Sequence, residues 1–213
     1  MSFEIPRDML KITTNAEEYR MLEDLKERRL YLYREIEPLG YEETSNEYAS
    51  TATHIVQSIL DFNRDDMNVP ISDRKPIKLF INSPGGDVTD GMPIIAAIEL
   101  SKTPVYTINL GQWCSMAFLI GITGHKRFSL PYATFLLHEG TSFAGGATNK
   151  VQDRVKFDER VEKEVIKPHV LKHSNMKQHE YDALARVEYY LLPPDAKERG
   201  FIDEIVTDLN VIL

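Results

Sequence analysis

Residues 77–88 read IKLFINSPGGDV, and this stretch decides the fold. The apolar run at 77–81 has the length of a buried strand, and the Pro-Gly-Gly behind it marks a turn at the strand's end. Gly85 and Gly86 have no Cβ, so a second group can approach their backbone N–H groups closely. Further along, an apolar stretch at 105–110 leads through GQWCSM at 111–116 into an apolar run at 116–120 that reads as a helix. Ser115 therefore falls on a strand-to-helix turn. A third strand, 133–137, runs into His138 within FLLHEG at 135–140.

Each of these pieces has an ordinary structural explanation. A serine ahead of a helix is usually an N-cap, a histidine at a strand end is usually structural, and Pro-Gly-Gly is usually only a turn. Together they offer two backbone-donor sites, an outward hydroxyl and an imidazole, which is most of what acyl transfer needs. The Met116 N–H and the positive end of the helix would lie near a reacting carbonyl.

The flanking segments fit an α/β plan. Residues 16–28 form a charged, helix-like stretch and 29–36 a strand candidate. Residues 51–62 form an amphipathic helix with Ile55, Ile59 and Phe62 near one face, and 64–76 a loop. A second helix is expected at 92–100, with Pro93 tolerable only near its first turn. Strands alternating with helices imply a parallel sheet with crossovers.

The order of these motifs resembles the caseinolytic (Clp) protease proteolytic subunit family, ClpP, over about residues 76–206. INSPGG, the serine segment, GHKRFSLP at 124–131, the strand ending in His138 and PPDAKERGFID at 193–203 occur in that family's order. The resemblance implies a crotonase-like α/β fold with repeated β-β-α units and a projecting handle helix. It divides the chain into an N-terminal segment, 1–28, and one peptidase domain, 29–213, with the handle at about 139–175. It also implies a serine endopeptidase in which Ser115 attacks, His138 moves the proton, and the N–H groups of Gly86 and Met116 hold the oxyanion. Stacked heptameric rings, a tetradecamer, would enclose the sites, with unfolded chains or peptides delivered by a Clp-family ATPase.

The third triad member is less direct. Aligning the family's Phe-Leu segment on 190–196 sets Glu188 where relatives carry aspartate and Tyr189 where they carry arginine. Asp182 is the alternative acid, and a dyad without a third member stays open. Trp113 and Cys114 stand where relatives have small side chains and are expected to fill core. Relatives commonly carry aromatic residues at both variable positions of I-x-L-x-I-N-S-P-G-G, lining a pocket for an ATPase loop; here these are Lys78 and Phe80.

Residues 147–173 are highly charged, with Val151, Val155, Val161 and Val165 as a narrow apolar stripe. Such a stripe cannot face a whole core, so the helix is expected to project and pack on another copy. Pro168 costs ~3 kcal/mol inside a helix, which predicts a kink or an end near Lys167.

Composition excludes several classes. The 33 acidic against 25 basic residues give a net charge of −8, unlike a phosphate-tracking nucleic-acid surface. One cysteine, Cys114, excludes an intramolecular disulfide. No clustered Cys/His set suggests a metal, and no cofactor is expected. GTSFAGG at 140–146 fails the phosphate-loop pattern, which requires lysine where Gly146 stands. No secretory leader and no apolar run of the roughly 18 residues that span a bilayer is apparent, so a soluble, cytoplasmic protein is expected. Two competing identities remain: a ClpP-like non-catalytic or weakly active scaffold subunit of a mixed ring, and an acyl-CoA enzyme of the related crotonase group, in which Ser115 and His138 would be coincidental.

Overall fold

The computed structural model describes residues 16–37, 51–141, 144–184 and 187–213. Most of the N-terminal segment expected at 1–28, and part of the glycine-rich stretch at 140–146, lie outside the described residues. In chain order the elements begin with α1 (Ala16–Lys26), β1 (Arg29–Leu32), α2 (Thr51–Asp65), β2 (Ile77–Ser83), α3 (Val88–Leu100) and β3 (Val105–Cys114). They continue with α4 (Met116–Ile122), β4 (Lys126–Ser129), β5 (Thr134–Leu137), α5 (Thr148–Val161), α6 (Lys167–Lys172) and α7 (Gln178–Leu184). The last are β6 (Tyr189–Leu191), α8 (Pro193–Glu198) and β7 (Glu204–Ile205).

The main sheet runs β1-β2-β3-β4-β7, and every pair along it is parallel. This is the architecture that alternating strands and helices imply, because parallel neighbours need a crossover between them. β3 is the pivot. Its first half pairs with β4, Tyr106 to Asn109 against Lys126 to Ser129, and its last residues pair with β5, Cys114 opposite Leu136. The Asn109 side chain fastens that change of partner: its Nδ2 donates to the Thr134 carbonyl at 3.0 Å and its Oδ1 accepts from the Gly111 N–H at 3.0 Å. β6 then adds to β5 in antiparallel register.

Central strands are buried on both faces, with Ile77, Leu79, Ile81, Val105 and Trp113 fully covered. Ile55 and Ile59 bring α2 onto that core, and Phe62 packs at its edge, as their spacing predicts. Trp113 meets Phe135 edge-on at 5.5 Å, so it fills core as expected. On the sheet's other side Phe80, Ile108, Phe128, Val206 and Ile212 form a second, smaller cluster.

Three departures from the expected boundaries bear on the site and on the helical arm. The strand expected at 29–36 stops at Leu32, and Ile36 returns only as an isolated bridge to Gly86. α3 starts at Val88 rather than 92, which places Pro93 in its second turn. The start is set by Asp87, whose side chain caps the helix by accepting the Asp90 N–H at 3.0 Å. The third concerns Pro168. The helix neither ends nor simply kinks there: a π turn at Glu162–Ile166 joins α5 to α6, and the Lys167 N–H reaches back five residues to Glu162. Widening the turn ahead of the proline accommodates a residue that has no N–H to give. α5 itself buries no residue, and Val155, Phe157 and Val165 are exposed along this helical arm.

Candidate active site

Two turns meet beside the ends of β2 and β3. Ser115, between β3 and α4, has φ +55° and ψ −125°, a backbone state that costs a non-glycine residue about 1–3 kcal/mol. Surrounding bonds hold it there. The Ser115 N–H donates to the Leu136 carbonyl at 2.9 Å, and the Ser115 carbonyl accepts from Phe118 and Leu119 at 3.0 and 3.3 Å. The hydroxyl makes no N-cap hydrogen bond, so the ordinary explanation for a serine ahead of a helix does not apply.

The glycine turn lies directly against it. Gly85 has φ +98°, and an ideal Cβ there would fall 2.7 Å from the Ser115 Cβ and 2.6 Å from the Cys114 oxygen. Only glycine permits that approach. The Gly85 N–H donates to Ser83 Oγ at 3.1 Å, and Ser83 Oγ in turn donates to the Arg34 carbonyl at 2.6 Å. Gly85 is therefore occupied as a donor. Gly86 is different. The Ile36 N–H bonds the Gly85 carbonyl and the Asp87 N–H bonds the Ile36 carbonyl, both at 2.7 Å, and in a parallel bridge this leaves the N–H of the middle residue, Gly86, directed away from Ile36. The Met116 N–H is the first of the orphan donors that every helix start leaves.

His138 follows β5 directly. Its Nε2 is buried and has no hydrogen-bond partner among the described residues. Such an atom is costly to leave unsatisfied, and a proton acceptor awaiting its donor is one explanation. The β5–β6 register pairs Leu137 with Tyr189, and continuing it by one residue sets His138 across from Glu188. Their side chains are not joined. Glu188 is exposed, and its Oε2 accepts from the Tyr190 hydroxyl at 2.7 Å. Asp182 lies on α7 and is engaged in an ion pair with Lys167. Among the described residues, no hydrogen bond links Ser115 to His138 or His138 to either carboxylate.

Cys114 is a poor rival nucleophile. Burial pushes its thiol pKa up, disfavouring the reactive thiolate, and Sγ lies 3.7 Å from Gln112 Oε1. Tyr189, where relatives carry arginine, is half-buried and lies close to Arg199. Sequence reasoning missed Ile36, which holds the glycine turn through backbone bonds that leave no residue-type signature, and Ser83, whose hydroxyl accepts from the Gly85 N–H and donates to the Arg34 carbonyl. Among the described residues one group, Glu99, His169 and His173, brings metal-ligand atoms together, within 4.8 Å of one another and toward the other end of α4.

A mixed α/β fold built on a parallel sheet, with a strained serine between strand and helix and a glycine turn against it, defines a crotonase-like protein. The profile of the Clp protease family matches residues 26–208, nearly the whole chain, and the chain belongs to that family. Membership supports a ClpP-type peptidase. No helix among the described residues is long and apolar enough to cross a membrane.

Proposed function

We propose that the chain is a serine endopeptidase with Ser115 as nucleophile. The observation that carries this is the strained Ser115 backbone, which presents an uncapped hydroxyl beside Gly85 and the Met116 nitrogen. Ser115 Oγ attacks the scissile carbonyl carbon while His138 Nε2 takes the hydroxyl proton, which it then gives to the leaving amine. The N–H groups of Gly86 and Met116 hold the oxyanion, where losing a single donor costs ~10²–10³ in rate. Glu188 accepts a hydrogen bond from the opposite imidazole nitrogen and so fixes the tautomer that leaves Nε2 free to accept.

For this, Glu188 leaves the Tyr190 hydroxyl and turns across the β5–β6 pair toward His138. Assembly supplies the setting. Heptameric rings stack into a tetradecamer through the helical arm, along which Val155, Phe157 and Val165 are exposed. A Clp-family ATPase feeds unfolded protein into the resulting cytoplasmic chamber. Native mass measurement and cleavage of short peptides test this together: a 14-mer that hydrolyses peptides, and loses that activity with its mass unchanged in Ser115→Ala, is the expected outcome.

A second reading, a weakly active or non-catalytic subunit of a mixed ring, is favoured by one observation, the absence of hydrogen bonds linking Ser115, His138 and Glu188. It expects the 14-mer only with a second chain present, and no turnover by this chain's own Ser115.

A further inference from the structure

The C-terminal end of α4, away from Ser115, borders a side-chain group that peptide hydrolysis does not use. Glu99 lies near the end of α3, while His169 and His173 stand one turn apart along α6 and its C-cap. His173 Nε2 is 3.3 Å from Glu99 Oε1, and His169 Nδ1 is 3.8 Å from the same oxygen. The two imidazole centroids are 4.6 Å apart.

Local bonding fixes which nitrogen of His169 faces the group. Its Nε2 is 3.1 Å from the Leu119 carbonyl oxygen, an atom that only accepts, so Nε2 carries the hydrogen. Thr123 Oγ1 donates to the same carbonyl at 2.7 Å and lies 3.1 Å from Nε2. The neutral ring then has its lone pair on Nδ1, directed at Glu99. An imidazole held from behind by a backbone carbonyl is the usual way a metal-ligating histidine is oriented. The π turn at Glu162–Ile166 contributes by setting the register of α6 just ahead of Pro168 and His169, and such turns gather at functional sites.

We propose that Glu99, His169 and His173 form a binding site for one zinc-class divalent ion, with water as the fourth ligand, clipping α6 to the end of α3. Zinc bonds of roughly 2.0–2.2 Å in a tetrahedron put neighbouring ligand atoms about 3.3–3.6 Å apart. The distances of 3.3 and 3.8 Å to Glu99 Oε1 are within small side-chain rotations of that figure. Two nitrogens and one carboxylate oxygen suit zinc, whereas magnesium and calcium prefer all-oxygen sets.

Lys172 is the competitor. Its Nζ donates to Glu99 Oε1 at 2.7 Å, but the side chain is 64% exposed and swings away at little cost. The ion takes its place.

The test is a titration of the chelator-treated full chain with zinc sulfate against a chromophoric competing chelator, with thermal melting followed in parallel. One tight equivalent per chain and a raised melting temperature are expected. Glu99→Gln and His173→Gln should each weaken that equivalent by at least ~10-fold, and Lys172→Gln should tighten it. No tight equivalent, or one whose affinity is the same in Glu99→Gln and His173→Gln, overturns the site. Should those variants fail to fold, Lys172→Gln decides, because unchanged affinity there is equally contradictory. The readout is bound metal and does not depend on peptidase activity.

Discussion

Gly85 and Ser115 are in mutual contact across two turns: a Cβ added to the glycine would sit 2.7 Å from that of the serine and 2.9 Å from the Met116 nitrogen. Gly85→Ala therefore separates the turns and also strains a backbone at φ +98°. The expected result is a stability loss of about 1–3 kcal/mol and a fall in peptide turnover of at least ~10², the usual consequence of an ångström-scale displacement in a reacting pair. Denaturant unfolding and peptide kinetics on the same preparation check both. Wild-type turnover in this variant would contradict the packing account.

In the proposed mechanism Glu188, which the β5–β6 register sets opposite His138, is the acid that orients the imidazole. Glu188→Gln keeps the shape but favours the wrong tautomer, and the corresponding change in another serine protease lowers turnover ~10⁴-fold. Asp182→Asn should stay near wild type, since that carboxylate is held by Lys167 at the surface. Tyr190→Phe removes the hydroxyl that draws Glu188 away and should raise turnover. A large loss in Asp182→Asn with Glu188→Gln unaffected would transfer the role to Asp182.

The fold and the two turns of the candidate site are readable from the sequence because they rest on local chemistry. Strand-length apolar runs, Pro-Gly-Gly and the serine before an apolar helix all carry their signals within a few residues. The Asp87 cap is equally local, but Pro93, tolerated best in a first turn, points to a later helix start. The π turn before Pro168 has no such signal, since the widened hydrogen bond is a backbone adjustment to an absent N–H. His169 and His173 do show the spacing of a helical ligand pair, but Glu99 joins them from 70 residues away only because α3 and α6 both pack on α4. The antiparallel pairing that brings Glu188 near His138 is likewise a product of topology and not of spacing.

Acid should weaken the chain through a pair remote from the site. Arg28 donates to both Asp66 oxygens, at 2.6 and 2.7 Å, and Thr103 Oγ1 adds a third bond at 2.8 Å. The Arg28 hydrogen bonds hold the Asp66 carboxyl below its usual range despite its burial. A depressed folded pKa stabilises fully above the unfolded value, about 3.9, and that contribution disappears as pH falls through the folded value. Asp66→Asn should cost about 3 kcal/mol at pH 7, and the deficit should shrink below about pH 4. Urea unfolding across that range measures it; a deficit independent of pH would contradict the assignment.

Lys78 gives an expectation about the ATPase partner. The aromatic wall that relatives carry there is replaced by a half-buried lysine whose Nζ donates to the Leu213 carbonyl, beside Phe80 stacked on Tyr31. Burial lowers the Lys78 pKa, as expected for an ammonium group partly out of water. An apolar loop docking here would have to displace that bond, so Lys78→Tyr should strengthen stimulation by a Clp ATPase from the same cell. Equal stimulation of wild type and variant would remove Lys78 from the docking account.

Covalent labelling with a fluorophosphonate tests the central claim most directly, because only an activated serine reacts. The account predicts that the assembled wild-type protein takes up one label per active chain, mapped by peptide mass spectrometry to Ser115, and that Ser115→Ala and His138→Ala take up none. An unlabelled wild-type assembly, or a label that persists in Ser115→Ala, would contradict it.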